Sequence, residues 1–490
     1  MRALRIATAV PVLTTLAVLG LTLPHSFSTL YPDEIFQTVE QAQRAISGYG
    51  FVPWEFHDGA RSWTGPGAFI GPMALAHAAG VHTGIGVQAV VKVYLLLIAA
   101  VTTYTTCRLS RELGGPMVVL FAGLLAATCP FLVVYDLHSF VELLALPAVV
   151  AACVVARDTS RRSAIACGVL IGIASALRMQ CALFVPVLVI AVRRRDPGHV
   201  PALFGGLAVP VMAAGVLDAV TWGYPFAGYY RNLEFNLRGG SSVYGTEPAS
   251  FYVDHLVSTI GPVLAAVLAI GLVAGARRAA LEAWLVAVYF VAHMVEPHKE
   301  LRFLLPIMPL VIVIAATGWG ELGSVARLRA PSWGRRASNA LAASAIAAVA
   351  VTGLLFARIP TAGDLGIGGL EPPSASVWRL GESGNELLSE AGATADVCGV
   401  LYLGRGVIWT GGYTYLDRDI GLYDQSDVPL GPAGAIPAQA NAVIVGPSFS
   451  PPPDLSGFRL VDQRGSERLS VRSGPCSRPP AGYTRVFPSP

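Results

Sequence analysis

Eleven apolar runs dominate the chain, near 6–24, 87–107, 116–134, 140–156, 163–177, 180–192, 200–220, 256–276, 281–297, 303–320 and 338–358. About 20 apolar residues in a helix span the hydrocarbon core of a bilayer. A chain patterned this way must satisfy its backbone within helices, because lipid offers no hydrogen-bond partner. The expectation is an α-helical polytopic membrane protein of about eleven transmembrane helices. The pair at 163–177 and 180–192 is short and also reads as one broken hairpin. Composition agrees: 53% of the 490 residues are hydrophobic, 13% are charged, and mean hydropathy is +0.57. Soluble domains carry about 25% charged residues. A disordered chain and an ordinary cytosolic enzyme are excluded. A net charge of +3 implies no polyanionic partner, so no nucleic acid is expected. Lys92 and Lys299 are the only lysines, and the bias to Arg, Ala and Gly hints at a GC-rich bacterial genome.

Arginine sets the orientation, because basic residues collect in cytoplasmic loops. The first run follows a charged start, Met-Arg-Ala-Leu-Arg, without an A-x-A-like site, and reads as an uncleaved anchor. The segment 66–82 is apolar but broken by Gly65, Pro66, Gly67, Gly71 and Pro72. If it lies on or dips into the outer surface, every cluster falls inside: Arg2 and Arg5, Arg108 and Arg111, Arg157 to Arg162, Arg193 to Arg195, Arg277 and Arg278, and Arg327 to Arg336. If it crosses, all but the first move outside. The expected membrane domain is 1–358, N-terminus inside, with a first outer loop at 27–86. The expected outer soluble domain is 359–490.

The unusual polar residues crowd the outer side. The first loop carries Tyr31-Pro32-Asp33-Glu34, then Trp54-Glu55 and Arg61-Ser62. Adjacent acids beside a membrane anchor are costly unless used or solvated, although Asp33 and Glu34 also suit the start of a helix over 33–47. The loop 218–255 mixes Asp218, Trp222, Tyr229, Asn232, Asn236 and Tyr244, which suits a sugar platform or an interfacial aromatic belt. A third group, His298-Lys299-Glu300-Leu301-Arg302-Phe303, packs bases and acids into one turn. Several bases together suit a phosphate, and Arg302 offers a planar fork for oxyanions.

These blocks are similar to those of the dolichyl- or polyprenyl-phosphate-mannose-dependent α-mannosyltransferases of GPI-anchor and N-glycan assembly. The resemblance rests on Tyr31-Pro32-Asp33-Glu34, Tyr49-Gly50, Trp54-Glu55 and Arg61-Ser62. It continues through Asp218 to Gly223, Phe235-Asn236, Tyr244-Gly245-Thr246, and His298-Lys299-Glu300 with Arg302-Phe303. The match is colinear over roughly 30–320. Tyr31, Glu247 and Met179-Gln180 depart from the family's residues. The resemblance implies a GT-C fold, a catalytic acid in the first outer loop and a polyprenyl-phosphate-mannose donor. The implied acceptor is a lipid-linked glycan; no cofactor or metal is required, although Asp33-Glu34 could hold a metal.

The expected reaction moves mannose with inversion. Asp33 is the first choice for the base and Glu34 the second. His298, Lys299, Arg302 and Arg178 are assigned to the donor phosphate; Trp54, Glu55, Arg61, Asn236 and Tyr244 to sugar or acceptor. A phosphate leaving group needs no second acid of the hydrolase kind. The expected site is the cell membrane, with the chemistry on the extracytoplasmic face, or the endoplasmic reticulum membrane in a eukaryote. A transferase for another polyprenyl-linked sugar and a lipid or sugar transporter are the alternatives. A transporter would place binding groups near the midplane.

The tail reads as a small α/β domain, with a helix over 376–391 and strands at 396–403, 441–446, 457–462 and 468–472. An oxidising compartment permits a disulfide between Cys398 and Cys476. The segment 475–490 reads as irregular chain. Asp417-Arg418-Asp419 superficially matches the metal-binding motif of nucleotide-sugar enzymes but falls on the wrong side of the membrane for such donors.

Overall fold

A computed structural model describes residues 2–329, 360–367, 372–447 and 449–487. The run at 338–358 lies outside the described residues. The chain groups into two compact units, Met1–Thr22 with Leu95–Gly368, and Leu23–Tyr94 with Gly369–Pro490. The first outer loop thus belongs with the tail rather than with the helices that surround it in sequence.

The first unit is helical. By length and composition, four described helices could cross a bilayer: Arg2–His25, Gly84–Leu113 (shared by both units), Pro197–Trp222 and Leu301–Val325. A fifth is added if Phe251–Ile260 and Pro262–Gly275, bent by 117°, form one span. This falls short of the eleven runs, for a local reason. Proline lacks an N–H, so it suits the first turn of a helix and can break a helix that would otherwise run through it. Pro130 divides the 116–134 run into Pro116–Thr128 and Pro130–Tyr135, and Pro262 follows Gly261 at the 117° bend. Val141–Val155 and Ala280–Val295 are apolar but only 15 and 16 residues long. The 163–177 and 180–192 runs form two helices, Arg161–Leu177 and Val185–Arg195, joined by a tight turn over Met179–Phe184.

Small residues let these helices approach closely. Arg161–Leu177 packs on Val200–Trp222, where a Cβ on Gly168 would fall 2.0 Å from the Leu203 carbonyl oxygen. Pro262–Gly275 packs on Met308–Arg329 through Gly275 and Gly318 in the same way.

The second unit holds a five-stranded sheet: β1 Gly399–Leu403, β2 Gly421–Tyr423, β3 Ala442–Val445, β4 Arg459–Arg464 and β5 Glu467–Val471. Their order is β2-β1-β3-β5-β4, with β1 parallel to β2 and β3, and β5 antiparallel to β3 and β4. Every residue of β1 is buried, as expected for a central parallel strand. Three residues make β2 too short to show an alternating pattern, and it was not expected from sequence. The helix expected over 376–391 is a turn at Val377–Arg379 followed by Glu382–Ala393, because Gly381 takes φ +68° between them. Cys398 and Cys476 are disulfide-bonded. The segment expected to be irregular contains a paired stretch, since Val486 bridges Val52.

Candidate functional site

The turn Pro32–Glu34 begins a helical stretch that passes through a π turn over Ile35–Val39 into Glu40–Ser47 and stops at Gly48, φ +83°. Pro32 suits the first helical position because the missing N–H has no partner there anyway. This stretch carries both candidate bases, and burial separates them. Glu34 is 1% exposed, and its carboxylate accepts the Leu30 N–H. Its charge also acts on the buried ammonium of Lys92. Asp33 is half-buried, and its charge acts on Glu55.

Glu55 lies in the short helix Trp54–His57, beside the half-buried Trp54. Its Oε1 accepts from Gln37 Nε2 at 2.6 Å, and Gln37 Oε1 in turn accepts from Arg61. A guanidinium only donates, so Arg61 fixes the polarity of the Gln37 amide and aims its NH2 group at Glu55. Burial first, and the Asp33 charge second, push the Glu55 carboxyl up to about 7, with Arg61 opposing. Two interacting carboxyls, one of them easily protonated, suit proton transfer better than sugar binding alone. Gln37 completes this chain and was missed as a site residue; its i+4 spacing from Asp33 was the available signal.

The first unit carries a second polar group. Arg302 is buried, with Nε donating to Glu300 and Nη1 3.8 Å from Glu142 Oε1. Arg178 is also buried, 3.2 Å from the same Glu142 oxygen. Both guanidiniums lie over the Phe303 ring, at 4.8 and 5.4 Å, and Arg302 also faces Phe140 at 4.9 Å. His298 donates from Nδ1 to Gly245 O and from Nε2 to Glu300 Oε1, 3.1 Å in each case, since both oxygens can only accept. Burial works against its charged form, but the Glu300 carboxylate outweighs burial and raises the imidazole above its usual range. Burial would raise Glu300, yet Arg302 and His298 together hold it down to about 2. The result is a buried pair of guanidiniums with counter-charges.

Glu142 is fully buried and opens the apolar helix Val141–Val155. An acid in the first turn of an apolar run is the signal that marks it. Lys299, expected at the donor phosphate, has its ammonium on backbone carbonyls. It is 5% exposed, and its ammonium donates to the carbonyls of Glu296 at 2.6 Å and Glu247 at 3.0 Å, with Pro297 O at 3.5 Å. An ammonium has three donors. Those of Lys299 tie the turn to the 218–255 loop.

Two sugar candidates lie in the 218–255 loop. Tyr244 is half-exposed, with its ring 6.1 Å from that of His298. Asn236 spends its amide on Asn232 O, at 2.8 Å, within its own helix. Asp218 is buried and accepts the Gly228 N–H at 2.9 Å. In the tail, Asp417 accepts from Gln43 and Asp419 from Arg485, so the apparent metal motif is engaged in packing.

The model of the Alg9-like mannosyltransferase family matches residues 11–363. The chain is 26% identical over 293 residues to GPI mannosyltransferase 3 of Yarrowia lipolytica, covering 58% of this chain and 57% of that one. It is 24% identical over 319 residues to mannosyltransferase APTG1 of Arabidopsis thaliana, covering 59% and 55%. The alignments thus span little more than half the length of these relatives. Among solved structures it resembles ArnT from Cupriavidus metallidurans bound to undecaprenyl phosphate, with TM-score 0.57 and 14% identity, covering 95% of this chain and 99% of that one. It also resembles the Archaeoglobus fulgidus oligosaccharyltransferase, with TM-score 0.50 and 11% identity over 84% and 61%. These likenesses show a GT-C fold.

Proposed function

The chain belongs to the Alg9-like mannosyltransferase family, and from that premise we propose that it transfers mannose from a polyprenyl-phosphate-mannose donor to a hydroxyl of a lipid-linked or glycan acceptor, with inversion. The observation that carries this reading is the buried Arg178–Arg302 pair stacked on Phe303 and flanked by His298. A glycosyl phosphate leaves as an oxyanion, and fixed cations in a dry site stabilise it far more than they would in water. That the ArnT of the same fold holds undecaprenyl phosphate supports a lipid-phosphate donor.

In this mechanism the acceptor O–H gives its proton to Asp33 as its oxygen attacks C1. The C1–O bond to phosphate breaks, and the electron pair leaves with polyprenyl phosphate. Arg178, Arg302 and His298 balance the charge. Attack opposite a β-linked phosphate gives an α-mannoside. Trp54, Arg61, Asn236 and Tyr244 contribute to sugar or acceptor binding, and Lys299 organises the turn that presents Arg302.

The same reading makes the chain a multi-pass membrane protein of eleven spans, with Arg193–Arg195 cytoplasmic and Thr246 outside. The decisive experiment supplies the purified chain with labelled polyprenyl-phosphate-mannose and a membrane glycolipid extract. Labelled mannose appearing in a glycolipid supports the reading; label that stays on the donor lipid refutes it. Cysteine labelling at positions 194 and 246 from outside intact cells tests the orientation.

A further inference from the structure

The residues 483–487 do more than trail from the sheet. Tyr483 anchors one end, its hydroxyl donating to the Leu422 carbonyl of β2 at 2.7 Å. Arg485 fixes the middle: it donates to Asp419 at 2.8 Å and to Ile420 O at 3.1 Å, and its guanidinium lies 4.5 Å from the Tyr413 ring centre. The far end crosses to the first outer loop. The Val52 N–H donates to Arg485 O at 2.6 Å, and the Phe487 N–H donates back to Val52 O at 2.9 Å. The Phe487 ring stacks on Phe51, centroids 4.6 Å apart and 14° between planes. It also meets Phe36 edge-on at 5.0 Å. Phe36 and Phe51 are both buried.

Phe36 stands three residues after Asp33, one helical turn on, and directly before Gln37, which aims at Glu55. A ring wedged against Phe36 therefore restrains the turn that presents the base and its partner carboxyl. We propose that residues 483–487 are a positioning strap for the first outer loop and that Phe487 is the positioning residue whose packing sets the orientation of Asp33. The role assigned to Asp33 rests on the proposed function; the strap itself rests on these contacts. Phe487 touches no reacting atom. It acts through Phe36, and two backbone hydrogen bonds set it in register.

The test uses the full chain in four forms: unaltered, Phe487→Ala, Phe487→Leu and Asp33→Asn. A base displaced by about 1 Å costs up to ~100-fold, so Phe487→Ala should lower kcat at least roughly tenfold. KM for polyprenyl-phosphate-mannose should stay unchanged, and Phe487→Leu should recover most of the rate. Hydrogen exchange should quicken in residues 34–41 of Phe487→Ala while strands β1 and β3 keep their protection. Normal turnover in Phe487→Ala, or exchange that quickens equally through the sheet, overturns the proposal. If the unaltered chain transfers no mannose, the proposed function fails, and the exchange in residues 34–41 still decides the strap. A Val52→Cys/Val486→Cys cross-link covers misfolding of the alanine variant: the oxidised chain should keep full turnover, and loss of turnover on oxidation overturns the strap.

Discussion

Gln37 donates its side-chain amide to the Glu55 carboxylate at 2.6 Å. Because Arg61 occupies the other end of that amide, the contact has one polarity. Glu55 is neutral below about 7 and charged above it, with burial the main cause and the Asp33 charge the second. Raising the pH through this value places a second negative charge beside Asp33. We expect transfer to fall as pH rises through about 7, and Glu55→Gln to remove that limb while keeping activity at lower pH. A pH–rate profile of both proteins decides it; an inactive Glu55→Gln, or an unchanged limb, refutes it.

The same titration bears on stability. Glu40 is buried, accepts the N–H groups of Phe51, Tyr413 and Thr414, and is likewise pushed up to about 7, burial outweighing these three bonds and Arg44. For both groups the folded value lies above the 4.5 of an ordinary glutamate, so the folded state binds more protons. Their contribution is complete below about 4.5 and is lost as pH rises through about 7. Thermal unfolding should show a falling midpoint across that window, and Glu40→Gln should flatten it.

Asp33 and Glu34 should separate cleanly. Asp33→Asn should lower transfer by 10²-fold or more, the order of a general-base contribution, with little change in folding. Glu34→Gln should act on stability, because it leaves the buried Lys92 without its counter-charge. Breaking a buried pair costs about 3–5 kcal/mol. The double variant Glu34→Gln/Lys92→Met should recover most of that loss. Expression level and melting temperature of the three variants, set beside turnover, tell the roles apart.

The cationic turn divides in the same manner. Arg302→Ala and Arg178→Ala should each cost about 3 kcal/mol of transition-state stabilisation, or ~100-fold in turnover. Lys299→Met should instead loosen the loop joined through Glu247 O, raising proteolysis near 240–250. Steady-state kinetics with limited proteolysis on the same preparations would distinguish them. A Lys299→Met variant that is fully folded but dead would return Lys299 to the phosphate.

The disulfide closes a loop of 78 residues, for which the chain-entropy model gives roughly 4 kcal/mol. Cys398→Ser should leave the sheet open to protease between 396 and 476. Mass spectrometry of the fragments would show it.

Local properties were readable directly. Hydropathy over 20 residues marks a helix whatever surrounds it, and polar groups such as Tyr31 to Glu34 and His298 to Arg302 stood out as clusters. Helix breaks were less readable, since Pro130 and the Gly261-Pro262 bend interrupt helices without lowering hydropathy. The strand β2, only three residues long, left no periodicity to detect.

Adjacent residues of one chemical type were the hard case. Asp33 and Glu34 look equivalent in sequence, as do Lys299 and Arg302 as phosphate ligands. Burial and partners distinguish their surroundings, and the partners are far along the chain: Lys92 for Glu34, Glu247 for Lys299, Glu142 for Arg302. Phe487 meets Phe36 across some 450 residues of sequence. The sequence by itself determined the membrane class, the family and the two polar groups, because helix formation and turn polarity depend on near neighbours. Which carboxyl is buried beside which charge, which cation donates to carbonyls and what packs on Phe36 were decided by tertiary structure alone, because desolvation and charge pairing are set by residues that only folding brings together.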